Sequence, residues 1–217
     1  MKKLNLKQII FLILFFAIIF GASRITLFKI VGASQAFTLF EFLYPLPAVF
    51  LGSIWGAGIV LLVKVLNWLI TGQSLDLITF VRFFPAVLAA LYFASKSKWN
   101  VVVPIICMAL FWFNPIGRAS FPYGLFWLIP IIVFPFKKNL ALNALGSTFT
   151  AHAVGSVAFL YSVGLTPEIW RGLIPVVFME RFVFAAGISV SCVVFSVVIQ
   201  YIAKKLSLQK EVLIEKV

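Results

Sequence analysis

Apolar stretches broken by charges, Pro or Gly run the length of the chain, near residues 8–28, 36–51, 54–70, 77–95, 100–114, 121–136, 143–164 and 173–203. Each reads as a helix. Several are shorter than the roughly 20 residues a perpendicular bilayer crossing needs, so the pattern is consistent with six, seven or eight spans. Region 36–70 reads either as one long kinked helix or as a hairpin turning at Leu51-Gly-Ser-Ile-Trp-Gly-Ala-Gly58, where three glycines permit a tight reversal and close helix contact. No repeat of 20–50 residues and no low-complexity linker divides the chain. The expectation is a single transmembrane helical domain over 1–203 and a short charged tail over 204–217.

Composition turns that pattern into a class. The 217 residues are 63% hydrophobic and only 11% charged, with a mean hydropathy of +1.13. These values predict an all-α integral membrane protein, a polytopic bundle of six to eight transmembrane helices in the cell membrane. The net charge of +12 would suggest nucleic acid in a soluble domain, but here the lysines flank apolar segments. Anionic lipid headgroups are the expected partner, and nucleic acid is not. Cys107 and Cys192 lie far apart in apolar runs and there is one histidine, so neither a disulfide framework, a metal centre nor any other cofactor is expected. Met1-Lys-Lys, the apolar run Ile9 to Phe20 and Gly21-Ala-Ser are shaped like a secretory signal peptide. Hydrophobicity resumes beyond them, and the reading keeps the segment as a first helix.

Charge asymmetry sets the topology. Lys2, Lys3 and Lys7, then Lys96 and Lys98, Lys137 and Lys138, and finally Lys204, Lys205, Lys210 and Lys216 form four clusters, all cytoplasmic by the positive-inside rule. An even number of crossings must separate successive clusters, which requires 36–70 to be a hairpin. The favoured arrangement is eight membrane segments with both termini inside. It leaves eleven of thirteen lysines cytoplasmic, whereas Arg24, Arg82, Arg118, Arg171 and Arg181 fall in outer loops or within spans. Arginine keeps its charge when buried and binds carboxylate or phosphate through a planar fork, so the arginines are the better site candidates.

Glu180 and Arg181 are the only charges between Gly172 and Ala203, and ionisable groups at bilayer depth are costly unless paired or hydrated. Glu180, Gly187 and Ser191 share a face, while Arg181 leaves the helix about 100° away, so each is expected to pair with a different helix. Thr148, His152 and Ser156 form a second polar stripe, read as helix packing or as ligand contact. Glu41, Lys64 and Arg82, with Asp76 in a loop, are expected to converge under the outer surface. Asn114-Pro-Ile-Gly-Arg118 and Glu168-Ile-Trp-Arg171 are outer turns, read as ligand-closing loops or as interfacial anchors with Tyr123 and Trp170 in the headgroup belt. The substrate-binding candidates are therefore Asn114, Arg118, His152, Glu180, Arg181, Arg82 and Glu41. There is no Gly-x-Ser-x-Gly elbow, His-Glu-x-x-His, Walker A or paired carboxylates on one helix face, so no catalytic residue is assigned.

The stretch Leu43-Tyr-Pro-Leu-Pro-Ala-Val-Phe-Leu-Gly-Ser-Ile-Trp-Gly-Ala-Gly58 resembles the second-to-third helix hairpin of the substrate-binding S components of energy-coupling factor (ECF) transporters, a likeness clearest over 36–95. The resemblance implies a substrate-capture subunit that takes a small micronutrient from the outer face. It also implies a transmembrane coupling protein and ATPase subunits as partners, met through Ala17, Gly21 and Ala22. S components usually have six helices; here 100–136 looks like an inserted hairpin. Outer and intramembrane cations outnumber carboxylates, which favours an anionic or zwitterionic small-molecule substrate. The alternatives are an intramembrane lipid-modifying enzyme using His152 or Glu180, and a non-catalytic membrane assembly factor.

Overall fold

The computed structural model describes residues 6–29, 36–72 and 74–205. Lys2, Lys3, Lys210 and Lys216 of the expected basic clusters lie outside them. A first helix, α1 (Leu6–Ala22), leads into a two-stranded antiparallel sheet of β1 (Thr26–Lys29) and β2 (Ala36–Thr38), in which Thr26 faces Thr38 and Lys29 faces Ala36. These strands replace the ends of the helices expected over 8–28 and 36–51. Thr26, Phe28, Phe37 and Thr38 are β-branched or aromatic, and such side chains suit a pleated ribbon better than a helix end.

Short helices α2 (Phe40–Leu43) and α3 (Leu46–Leu51) then run to Gly52, whose φ of +92° only glycine adopts readily, and the chain reverses into α4 (Ser53–Thr71). A Cβ on Gly56 would fall 2.1 Å from the backbone of Ala48, so glycine here is what lets α3 and α4 meet. Region 36–70 is thus the expected hairpin, not one kinked helix.

Pro85, in the first turn of α6 (Phe84–Ala94), separates it from α5 (Leu77–Val81). The next hairpin is α7 (Trp99–Phe113) followed by a chain of short pieces: α8 (Pro115–Ala119), α9 (Phe121–Gly124), a 3₁₀ turn, α10 (Leu128–Val133) and a second 3₁₀ turn over Phe134–Phe136. Prolines at 115, 122, 130 and 135 account for the fragmentation, since each lacks an N–H and crowds the preceding turn. The chain ends with α11 (Leu140–Ser162), α12 (Pro167–Gly172) and α13 (Ile174–Lys205).

Helix α11 is the axis of the molecule and packs against α5, α6, α7, α10 and α13. One apolar core joins α1, α3, α4, α6 and α13 to one side of α11, and a second joins α7, the α9–α10 region and α12 to the other. The buried surface of α11 is small and polar: Asn143, Gly146, Ser147, Thr148 and Thr150 all turn inward. Asn143 and Ser147 bond across helices, whereas Thr150 Oγ1 turns back to the Gly146 carbonyl of its own helix at 2.8 Å. Ser147 donates to the Ala89 carbonyl at 2.8 Å and lies 3.1 Å from the Tyr44 hydroxyl, and Asn143 Nδ2 donates to the Phe93 carbonyl at 2.9 Å.

The outside reverses this distribution. Along α13 the exposed side chains include Phe178, Met179, Phe182, Val190, Val193, Val197 and Tyr201. Two helices, Ser53–Thr71 and Ile174–Tyr201, are each long and apolar enough to cross a membrane, and the shorter apolar helices include Phe40–Leu51, Thr79–Ala94, Trp99–Phe113 and Phe121–Phe136. Among the described residues the regular structure is all helical but for the small β1–β2 ribbon.

Candidate functional site

Arg181 lies in the second turn of α13 and is 5% exposed. Its guanidinium sits 5.2 Å from the Phe37 ring of β2 and 4.6 Å from the Phe184 ring one turn along α13, and these two rings meet edge to face 4.8 Å apart, so the cation rests against an aromatic pair. Its Nη2 donates to Glu180 Oε2 at 3.4 Å, a long contact, and among the described residues its Nε has no hydrogen-bond partner although buried. Here the expectation is corrected: Glu180 and Arg181 turn to each other. Backbone vectors 100° apart do not separate them, because a long arginine side chain can curl back along its own helix.

Around this pair the structure gathers other groups. Glu41 on α2 is electrostatically coupled to Glu180 and to Tyr44, while the field of Arg181 reaches Tyr44, Tyr123 and His152. Thr148 Oγ1 lies 3.4 Å from the Arg181 carbonyl, which ties the polar stripe of α11 to α13 beside the pair. Gly187, on the Glu180 stripe, makes room for the Phe42 ring, which a Cβ would meet at 2.5 Å.

His152 occupies a different environment, enclosed by Tyr123, Phe126, Trp127 and Phe149. Trp127 Nε1 donates to His152 Nδ1 at 3.1 Å, and the Tyr123 hydroxyl lies 2.8 Å from Nε2. An indole is a donor only, so Nδ1 is the accepting nitrogen and the ring proton resides on Nε2. Nε2–H then donates to the Tyr123 oxygen, and the Tyr123 hydroxyl lies 3.3 Å from Ser156 Oγ, a contact in which either group can donate. The chain runs from Trp127 through His152 to Tyr123 and on to Ser156. Tyr123 and Trp170, at 3% and 2% exposure, belong to this buried aromatic cluster and not to an interfacial belt. The signal was in the sequence: Tyr123 and Trp127 are four residues apart, on one face of a helical turn.

The remaining candidates are dispersed. Lys64 rests over the Phe40 ring at 4.4 Å, whereas Arg82 lies over Phe159 at 4.9 Å with a buried, unpartnered Nε. Asp76 receives the Thr79 N–H at 2.7 Å, which holds its carboxyl below the usual carboxylate range. Asn114 caps α8 by accepting the Ile116 N–H at 2.9 Å. Arg118 folds back on the last carbonyls of α7, Trp112 and Phe113, both at 3.4 Å. Arg171 pairs with Glu168 at 3.0 Å in an exposed bridge of little energetic weight. Of the seven candidates, Glu41, Glu180 and Arg181 come together with His152 one layer away; Arg82, Asn114 and Arg118 do not join them. Of the small residues expected at a partner face, Ala17 and Gly21 are exposed beside Ile10, Ile13 and Leu14, but Ala22 turns into the core.

Among the described residues no group of three or more His, Cys, Asp or Glu is arranged to hold a metal ion. No family model, no curated protein and no solved structure matches this chain.

Proposed function

We propose that this chain is a multi-pass cell-membrane protein of eight membrane segments, with both termini cytoplasmic, that captures a small anionic or zwitterionic solute from the outer face. In this reading it is the substrate-binding subunit of an ECF-type transporter, and a coupling protein with ATPase subunits drives release. The observation that carries the capture reading is Arg181, a nearly fully buried cation with one long contact to a carboxylate and an orphaned Nε. Burying charge is expensive unless its hydrogen bonds are met, and a ligand carboxylate or phosphate would complete the guanidinium fork. Phe37 brings the β1–β2 ribbon over this position, as a cover would.

Support for the membrane placement is the inverted distribution of side chains, polar on the buried α11 and apolar on the outward faces. The exposed Ile10, Ile13, Leu14, Ala17 and Gly21 face of α1 is the candidate surface for the coupling protein. Acid–base chemistry at His152 is the weaker reading, because Trp127 and Tyr123 already engage both ring nitrogens. Native mass spectrometry of the protein purified from its own membranes tests the proposal: bound solute and copurifying ATPases are expected, and finding neither overturns it. A cysteine-accessibility scan that finds Gly52 or Ser53 on the outer side would overturn the topology.

A further inference from the structure

Glu180 and Arg181 are successive residues of α13 whose opposite charges end side by side, with Arg181 Nη2 3.4 Å from Glu180 Oε2. A good charge-assisted N–H···O bond is about 2.7–2.9 Å long, so this contact leaves both groups with bonding capacity. Arg181 is 5% exposed and its Nε has no partner among the described residues, while the Glu180 side chain is 16% exposed. A second carboxylate stands on the same side. Helix α2 packs against α13, where the Phe42 ring lies over Gly187, and Glu41, the residue before Phe42, reaches Glu180 through its field. Arg181 is the cation that Glu180 and Tyr44 feel, whereas Lys64 lies over the Phe40 ring at 4.4 Å. Beside these charges is an apolar wall. Phe184 meets Phe37 edge to face at 4.8 Å and Phe42 at 6.0 Å.

We infer that the captured solute is a zwitterion of the α-amino acid type with an apolar side chain. Its carboxylate takes the fork of Arg181, its ammonium takes Glu180, and its side chain rests against Phe37, Phe42 and Phe184. A simple anion would add a negative charge beside Glu180 and within the field of Glu41, leaving one guanidinium to answer three. A zwitterion gives each protein charge an opposite partner, which is what buried ions need. The two protein charges are neighbours, so the two ligand charges must be neighbours too, as an ammonium and a carboxylate on one carbon are. The inference rests on solute capture at Arg181 and narrows it to one class of solute.

The test is equilibrium dialysis of the full chain, purified in mild detergent and freed of endogenous solute. The probes are L-phenylalanine, 3-phenylpropionate, which lacks the ammonium, and 2-phenylethylamine, which lacks the carboxylate. Wild type is expected to bind L-phenylalanine at least tenfold more tightly than either analogue, because each analogue strands one of the site's buried charges. Glu180→Gln should weaken L-phenylalanine at least tenfold and erase its advantage over 3-phenylpropionate. The wild-type comparison needs no substitution and stands even if that variant fails to fold. If 3-phenylpropionate binds as tightly as L-phenylalanine, the zwitterion is overturned and capture of an anion survives. Equal binding of 2-phenylethylamine overturns it too, as does failure to bind L-phenylalanine, L-leucine and L-methionine alike. Capture itself is judged separately, by whether protein from its own membranes carries a solute.

Discussion

His152 and Arg181 are both ionisable, both buried and on helices that touch, yet their surroundings differ in kind. Every polar atom of the His152 ring has a partner, and the chain from Trp127 to Ser156 closes without an outside group. Arg181 has an adjoining pair of aromatic rings, a distant carboxylate and, among the described residues, a nitrogen with nothing to bond. A saturated network fixes structure and gives a ligand nothing to bind. An unsaturated buried cation is costly in the empty protein, and that cost is relieved by whatever anion enters. Charge and depth alone do not separate these cases; hydrogen-bond bookkeeping does.

The largest effect should therefore come from Arg181. Removing one partner of a buried charge-assisted pair costs about 3–5 kcal/mol, a few hundredfold or more in affinity. Arg181→Gln should abolish solute retention in native mass spectra while thermal unfolding in detergent stays near wild type. Glu180→Gln should likewise lose solute without loss of folded protein. If both variants instead unfold and still retain solute when folded, Arg181 is an interhelical tie like His152 and the contrast collapses.

His152→Leu should do the opposite. It strands the Trp127 N–H and frees the Tyr123 hydroxyl, each worth about 1–3 kcal/mol when buried without a partner, so destabilisation of about 3 kcal/mol is expected with solute retention unchanged in the folded fraction. Ser156→Ala removes only the last, 3.3 Å link and should cost about 1 kcal/mol. Denaturation of the variants in detergent orders them, and a Ser156 effect as large as that of His152 would mean that Ser156, and not the histidine, holds the network together.

Much of this architecture was legible in the apolar pattern, because the helices are apolar runs and the breaks between them carry Pro, Gly and Lys. The hairpin at Gly52 followed from lysine parity, and the φ of that glycine is its physical counterpart. The β1–β2 ribbon was not legible, since Leu27 and Phe28 read as a continuation of the apolar run before them and the strand's pairing depends on residues seven to twelve positions away. For the site, the sequence singled out Glu180, Arg181 and His152 by their rarity in apolar runs. It did not reveal that His152 is saturated by Tyr123 and Trp127 from another part of the fold, nor that Arg118 only closes the end of α7, because partners of that kind are set by packing.

The smallest predicted effect concerns a third polar group, at the end of the bundle where α6 stops, where saturation is again the structural theme. Lys137 is half-buried, donates to the carbonyls of Tyr92 and Ser95 at the end of α6, and lies over the rings of Tyr92 and Phe134. Burial, helped by the charge of Lys96, lowers its pKa to about 8, against 10.5 for an ordinary lysine. Between those two values the unfolded chain binds more protons than the folded one, so stability rises with pH across that window and is flat, in this term, below it. Lys137→Arg keeps its charge throughout and so removes the titration. The melting temperature of wild type relative to this variant should therefore climb by a few degrees from pH 8 to 10, and Lys96→Gln should shift the onset upward by lifting the lysine pKa. Parallel curves at every pH would mean that the two carbonyls hold the ammonium firmly enough to offset its burial, making Lys137 as fully compensated as His152 and leaving Arg181 as the sharper exception.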